Sequence, residues 1–130
     1  MASKPEIRIR RVYDEPSTED GARVLVDRLW PRNLRKDEAR IDSWVKDVAP
    51  SPELRTWYGH DPGRFAEFRR RYEAELTDPG RAAALNELRE FARDRPLTLL
   101  TATKDPSLSQ AAVLAQRLSE QIPEQEPERE

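Results

Sequence analysis

Hydrophobic and polar positions alternate first in residues 6–12, where two isoleucines and a valine are separated by arginines. An alternation of this kind predicts a strand with one polar face. Residues 24–26, VLV, form a continuous apolar run, and residues 96–101, PLTLLT, are nearly as apolar. Runs of this length are typical of strands buried on both faces of a parallel sheet. Residues 41–48 fit either a short strand or an extended connection.

Four helix starts are marked by a capping residue followed by proline, at Ser51-Pro52, Asp61-Pro62, Asp78-Pro79 and Asp105-Pro106. Serine and aspartate accept hydrogen bonds from the free amides of a first helical turn, and proline lacks the amide that would be unpaired there. Apolar residues at helical spacing follow the last three starts, which predicts amphipathic helices that face the core. Their stripes comprise Phe65, Phe68, Tyr72 and Leu76; Leu85, Leu88, Phe91 and Ala92; and Ala111, Leu114, Ala115, Leu118 and Ile122.

Polar segments join these elements. Residues 14–21 predict a loop, and residues 31–40 predict a loop or one short helical turn in which Asn33 tolerates a left-handed conformation. Strands that alternate with amphipathic helices predict a single compact three-layer α/β domain over residues 1–122, with a mostly parallel sheet of three to five strands flanked by helices. Residues 123–130 have almost nothing to bury, so we expect a disordered acidic tail.

Composition narrows the chemistry. The chain of 130 residues has no cysteine, which excludes disulfides and a thiolate nucleophile, and it has one histidine, His60, which excludes a site built from several imidazoles. We therefore expect neither a metal ion nor a cofactor. The first residues lack the apolar run of a signal peptide, and no segment approaches the length of a membrane span. We expect a cytoplasmic protein without membrane contact.

The charge of the predicted domain is close to neutral. The last eight residues hold four glutamates and one arginine, which leaves residues 1–122 at +1 of a formal net charge of -2. Proteins that bind duplex DNA usually carry a clear basic excess, because neutralising phosphates supplies most of their affinity. The composition therefore disfavours nucleic acid as the partner.

Ligands of open α/β sheets bind beyond the carboxyl ends of the strands. This rule selects residues 27–32, 46–51 and 101–105. Arg28 and Arg32 follow one predicted strand, and Lys104 follows another, directly before a helix start. Cations beside a helix N-terminus favour a negatively charged ligand. We therefore expect a molecule that bears phosphate or carboxylate, although Lys104 alone fits a solvated lysine at a helix end better.

Two groups are candidates for proton transfer. Asp27 directly follows a predicted buried strand, a position where water solvates a charged side chain poorly. His60 has an imidazole, a side chain type that can act as an acid or a base near neutral pH. Asp27 fits a structural ion pair with Arg10 or Arg11 equally well, and a lone histidine is more often structural. Trp30 fits either a stacking platform for a ligand or packing. Trp44 and Trp57 are assigned to packing.

Four blocks of the sequence carry a resemblance: RVLVDRLWPR, IDSWVKDVAPSPELR, WYGHDPGRFAEFRRRYEAEL and PLTLLTATKD. Together they resemble the YeaO-like branch of the domain of unknown function 488 family, over about residues 9–118. The resemblance implies a compact α/β domain without an established activity. It adds Arg11, Lys46 and Arg55 to the candidate ligand-binding residues.

The chain departs from the pattern of this family after the last predicted strand. Relatives commonly carry tyrosine or cysteine where this chain has Thr101, and a run rich in histidine or cysteine where it has residues 108–110, LSQ. Chemistry that depends on those side chains in relatives is expected to be lost here. The chemistry that remains at this site therefore depends on arginine and aspartate side chains.

The leading hypothesis is a domain that binds an anionic small molecule at the strand ends. Its candidate residues are Asp27 and His60 for catalysis, and Arg11, Arg28, Trp30, Arg32, Lys46, Arg55 and Lys104 for binding. A regulatory or nucleic-acid-binding module that uses the basic residues of segment 23–36 is the first alternative. A structural or protein-interaction domain is the second. Catalysis and the oligomeric state are left open.

Overall fold

The computed structural model describes residues 6–35 and 40–124, the side chains of residues 121–124 excepted. Within these residues the strands form one parallel four-stranded sheet, made of β1 (Ile7–Arg11), β2 (Ala22–Leu25), β3 (Ser43–Trp44) and β4 (Leu97–Thr101). The strand order is β1-β4-β2-β3, so β4 and β2 are central. All five residues of β4 and all four of β2 are buried. The predicted parallel α/β sheet is confirmed.

The described part of the chain forms four α-helices: α1 (Pro52–Tyr58), α2 (Phe65–Glu75), α3 (Pro79–Phe91) and α4 (Gln110–Glu124). Helix α1 begins as its sequence predicts, because the Ser51 hydroxyl accepts a 3.1 Å hydrogen bond from the Leu54 amide. It ends at Gly59, which is left-handed with φ of 53°.

The Asp-Pro pairs do not all begin an α-helix. Asp61 and Asp105 each accept a hydrogen bond from the amide two residues later, and each begins a 3-10 turn, Pro62–Arg64 and Pro106–Leu108. A bond to the second amide tightens the chain into the 3-10 form, so α2 and α4 start only after those turns. Asp78 directly precedes α3, but its side chain makes no capping bond. The prediction of three helix caps is therefore wrong in this detail.

The main core lies on one face of the sheet. Side chains of β2 and β4 such as Val24, Leu97 and Leu99 pack there against residues from all four helices, including Phe68, Leu88 and Leu114. The predicted helix stripes supply most of this cluster. The aromatic rings of α1 and α2 continue it, since Tyr58 and Phe68 stack with ring centroids 4.3 Å apart.

The second face of the sheet is covered by loop segments in the described part of the chain. Val12, Leu25 and Leu100 form a small cluster there, packed by Trp30, Leu34 and Ile41. Most of these side chains lie toward the carboxyl edge of the sheet, whereas Ile41 precedes β3. The layer opposite the helices is therefore built from loops, and the loop after β2 supplies most of it.

Toward the amino edge, the second face is polar, as the alternation in β1 predicts. Asp20 is fully buried and bonds the Arg23 guanidinium, which is 4% exposed, at 2.6 Å. Arg10 and Arg8 approach the same carboxylate at 3.5 and 3.9 Å. Next to it, Gly21 has φ of 64°, and a Cβ at this position would lie 2.1 Å from the Pro96 carbonyl oxygen.

Two further facts concern the chain as a whole. Helix α4 extends to Glu124, two residues into the predicted acidic tail, and residues 125–130 lie outside the described part. Among the described residues, none of the helices combines the length and the apolar composition that a bilayer span requires.

Candidate functional site

The carboxyl edge of the sheet is organised around the carboxylate of Asp27, two residues beyond the end of β2. The Thr101 hydroxyl and the Gln110 side-chain amide each donate to its Oδ1 at 2.7 Å. The backbone amide of Ala102 donates to its Oδ2 at 2.8 Å. Because Thr101 ends β4 and Gln110 begins α4, one side chain connects the two central strands with the last helix.

Burial and hydrogen bonding act on this carboxylate in opposite directions. Desolvation raises the pKa of Asp27, because the charged form is disfavoured away from water. The three hydrogen bonds and the positive charge of Arg55 favour the charged form. Desolvation exceeds them, and the pKa of Asp27 lies above its ordinary value.

The alternative of an ion pair between Asp27 and Arg10 or Arg11 is wrong. Arg10 turns to the other face of the sheet, where it pairs with Asp20. The guanidinium of Arg11 donates to the carbonyl oxygens of Ala102 and Thr103 at 3.5 and 3.2 Å. Arg11 therefore supports the backbone after β4 from outside the cleft, and its role there is structural.

A cleft with two lobes opens above the strand ends. The first lobe, called the arginine lobe, has a volume of about 530 Å³ and is lined by Arg28, Arg32, Arg55 and Trp30 among others. The second, called the Asp105 lobe, has a volume of about 640 Å³ and includes Lys104, Asp105, Pro62 and Leu108. The residues that line both lobes are Asp27, Tyr58, His60, Ala102 and Thr103.

The cleft brings together most of the residues that the sequence predicts for the site. Asp27, Arg28, Trp30, Arg32, Arg55, His60 and Lys104 all line it. Lys46 does not line either lobe, because its ammonium lies 5.3 Å from the ring centre of the exposed Trp44. The predicted set thus divides into seven residues at the cleft and two, Arg11 and Lys46, beside it.

The cations of the cleft differ from the arginines of α2 in their pairing. Arg28, Arg32, Arg55 and Lys104 are exposed, and none of them forms an ion pair with any residue in the described parts of the chain. By contrast, the arginines of α2 are paired with glutamates of the same helix, Arg69 with Glu73 for example. This difference in pairing cannot be read from the sequence, because it depends on which side chains meet in space.

The two tryptophans beside the cleft form one unit. Trp30 is half-buried, donates from Nε1 to the Leu34 carbonyl at 2.9 Å, and meets Trp44 edge-on with centroids 5.5 Å apart. Trp44 donates to the Asp27 carbonyl at 2.7 Å and remains 36% exposed, so it packs against Trp30 at the surface and not in the core. Together the rings support the loop after β2 from the side of β3.

His60 owes its position to the turn after α1. It follows Gly59 and is itself left-handed, with φ of 57°, and its ring centre lies 6.1 Å from that of Tyr58. Two successive left-handed residues reverse the chain sharply, so the exposed imidazole reaches the border between the lobes.

Several residues of the cleft were missed from the sequence: Tyr58, Ser109 and Gln110. Tyr58 is 5% exposed and donates to the Leu108 carbonyl at 2.6 Å. A signal existed for Thr101 and Gln110, since both stand where the chain departs from the pattern of its relatives. Both side chains donate a hydrogen bond to Asp27, so the two positions that differ from the family pattern lie at the same place in the structure.

The basic segment 23–36 does not present a uniform cationic surface. Arg23 is buried against Asp20, and its Nε donates to the Arg40 carbonyl, so its charge faces inward. Lys36 lies outside the described residues. In those residues there is also no group of three or more histidine, cysteine, aspartate or glutamate side chains placed to hold a metal ion.

Comparisons with known proteins now give the chain its family. The profile of a family described as "Inactive DUF488-N3 subclade" matches residues 6–130. An uncharacterised protein of Mycobacterium tuberculosis is 50% identical over 119 residues, which cover 92% of this chain and 98% of that protein. The same values apply to an uncharacterised protein of Mycobacterium bovis. The uncharacterised protein YeaO of Escherichia coli is 40% identical over 109 residues, 84% of this chain and 93% of YeaO.

No solved structure matches the chain. The profile spans nearly the whole sequence, and the similarity to YeaO extends over 84% of it. The chain is a YeaO-like member of the domain of unknown function 488 family, and it belongs to the inactive DUF488-N3 subclade.

Proposed function

We propose that this protein binds an anionic small molecule, one that bears phosphate or carboxylate, in the cleft at the carboxyl edge of its sheet, and that it does so without catalysis. The observation that carries the proposal is the convergence on one lobe of Arg28, Arg32 and Arg55, none of which forms an ion pair with a residue that the structure describes. The charge of Arg55 also acts on Asp27, which is the one carboxylate of this lobe. The arginines of α2, by contrast, pair with glutamates of their own helix. A cleft that concentrates unpaired arginines is suited to a negatively charged ligand.

Arginine is the residue type that fits such a ligand best. Its planar guanidinium presents parallel donors that match the oxygens of phosphate and carboxylate in pairs. The cleft also has a suitable size, because ligand sites usually span roughly 300–1,000 Å³ and the arginine lobe measures about 530 Å³. His60, which lines both lobes, adds a ring N–H donor.

The environment of Asp27 supports binding without turnover. A general base must present a free lone pair to the proton that it removes. Donors of the protein itself occupy three of the about four lone-pair sites of the Asp27 carboxylate. The subclade to which the chain belongs is described as inactive, in agreement with this arrangement. We assign Asp27 to shaping the cleft, and His60 to binding.

The proposal is tested by thermal unfolding in the presence of inorganic phosphate and of citrate, with Arg28→Ala and Arg55→Ala as variants. A ligand at one hundred times its Kd stabilises the folded state by about 2.7 kcal/mol. We expect the wild-type protein to gain Tm with at least one of these anions, and both variants to lose most of the gain.

Arg95→Ala is the matched control. Arg95 is exposed, makes no ion pair with the described residues, and precedes β4, so it lies at the opposite edge of the sheet. Its variant should respond to the anions as the wild type does. A wild type that gains no Tm, or a gain that survives in Arg28→Ala and Arg55→Ala, contradicts the proposal and favours a purely structural role for the cleft.

A further inference from the structure

We infer that the ligand is a phosphorylated sugar, with its phosphate in the arginine lobe and its hydroxyl-bearing ring in the Asp105 lobe. This inference rests on the proposed function and adds the chemical class of the ligand. It comes from the different charges of the two lobes and from one carboxylate oxygen that the protein leaves without a partner.

The charges of the cleft are divided between its lobes. The arginine lobe has three arginines against the single carboxylate of Asp27. The Asp105 lobe has one lysine, Lys104, against two carboxylates, those of Asp27 and Asp105. A dianionic phosphate is therefore attracted to the arginine lobe and finds no comparable attraction in the other. The part of the ligand in the Asp105 lobe should be uncharged.

The Asp105 lobe offers an acceptor for a hydroxyl group. Asp105 Oδ1 accepts hydrogen bonds from the amide and the hydroxyl of Ser107 at 3.1 and 2.6 Å. Its Oδ2 has no hydrogen-bond or ion-pair partner among the described residues. A carboxylate oxygen is the strong acceptor that a donating hydroxyl group requires. Asp105 lines a lobe of about 640 Å³, which is large enough for a sugar ring.

The remaining walls of the Asp105 lobe are largely apolar. They include Tyr58, Pro62, Ala102 and Leu108. The hydroxyl of Tyr58 is already engaged by the Leu108 carbonyl, so Tyr58 contributes aromatic surface rather than a free donor. A sugar ring has apolar C–H faces and hydroxyl groups at its edges. The apolar walls of this lobe suit the faces, and the Asp105 carboxylate suits a hydroxyl group. A second phosphate there would meet two carboxylates, which disfavours bisphosphorylated ligands.

The inference is tested by calorimetric titration of the full chain with two probes, methyl phosphate and ribose 5-phosphate. Both carry one phosphate, and only the second carries a hydroxylated ring. We expect ribose 5-phosphate to bind the wild type about tenfold more tightly, a difference of about 1.4 kcal/mol. Asp105→Asn should reduce this ratio to near one while methyl phosphate binds as well as before or better.

The variant keeps the fold intact, because asparagine caps a helical turn as well as aspartate does. Asp61→Asn is the matched control: Asp61 caps the neighbouring 3-10 turn in the same way but lies outside both lobes. It should leave the ratio of the two affinities unchanged. Urea unfolding of both variants checks that neither loses the folded state.

The outcomes separate the two proposals. Equal affinity of the wild type for both probes overturns the sugar inference and leaves phosphate binding standing. Equal loss of both probes in Asp105→Asn, or the same change in Asp61→Asn, also overturns it. Failure of the wild type to bind either probe, together with the absence of any anion effect on Tm, overturns the proposed function itself.

Discussion

The hydrogen bond from Thr101 to Asp27 should be measurable as a stability that depends on pH. Thr101 is fully buried, and its hydroxyl lies 2.7 Å from Asp27 Oδ1. Thr101→Val keeps the shape of the side chain and removes one of the three donors to a partly buried carboxylate. A hydrogen bond to a charged group contributes about 1.5–3 kcal/mol, so we expect the variant to lose about 2 kcal/mol at pH 7.

The sign of the pH dependence follows from the carboxylate. The pKa of Asp27 is raised in the folded protein, above the ordinary value of 3.8 that it has in the unfolded chain. Folding therefore becomes less favourable as pH rises through the interval between these two values. Removing a donor raises the folded pKa further, so the variant's deficit is full above that pKa. It shrinks as the pH falls from that value to the folded pKa of the wild type, which also lies above 3.8.

Thr98→Val is the control for this measurement. Thr98 is on the same strand and equally buried, but its hydroxyl donates to a neutral acceptor, the Asp20 carbonyl, at 2.8 Å. Its substitution should cost about 1–2 kcal/mol with no dependence on the titration of Asp27. Urea unfolding between pH 3 and pH 8 gives both free energies. The reasoning fails if the two variants show the same pH profile, or if Thr101→Val loses less than about 0.5 kcal/mol at pH 7.

Two further predictions concern the buried parts of the second sheet face. Desolvation opposes the ionised form of Asp20, but hydrogen bonds and the nearby arginines outweigh desolvation and hold the pKa of Asp20 below 3.8. The stability that the ionised carboxylate contributes is therefore lost as the pH falls through the folded pKa. Asp20→Asn leaves Arg23 buried without its counter-charge, and we expect it to lower the free energy of unfolding by about 3–5 kcal/mol. Glu90→Gln is the control, because Glu90 forms an exposed pair of the same spacing with Arg93. It should lower the free energy of unfolding by less than about 1 kcal/mol. Urea unfolding measures both values. Gly21→Ala places a Cβ 2.1 Å from a backbone carbonyl oxygen and should cost more than about 3 kcal/mol. Gly59→Ala, with a similar φ but its nearest neighbour at 3.7 Å, should cost about 1 kcal/mol; equal losses for the two glycines contradict the steric argument.

Local chemistry accounts for the elements that were predicted correctly. Ser51 caps α1 through an amide three residues away, and Asn33 adopts the left-handed conformation expected of it, with φ of 60°. The apolar run that became β4 is buried along its whole length. Each of these outcomes depends on the residue type and its immediate neighbours. The Asp-Pro pairs show the limit of such rules, because the same capping bond begins a 3-10 turn as readily as an α-helix.

The candidate site was predicted in part for a similar reason. In a parallel sheet the carboxyl ends of all strands meet at one edge, so residues after β2 and β4 were expected to converge, and Asp27, Arg28 and Lys104 do line one cleft. Arg11 and Lys46 also follow strands, yet their side chains are engaged beside the cleft. The direction of a long side chain at a strand end is set by its neighbours in space.

The parallel α/β architecture, the helix stripes and the charged stretch after β2 could be predicted from local sequence patterns, because periodicity and capping act over a few residues. The contacts of Asp27 could not be predicted in this way, since its partners Thr101 and Gln110 lie 74 and 83 residues away along the chain. The tertiary structure decides these contacts, and it also decides which arginines are left unpaired. Pairing between distant residues depends on the strand order and on the packing of α4 against the sheet, and a local sequence pattern predicts neither of them.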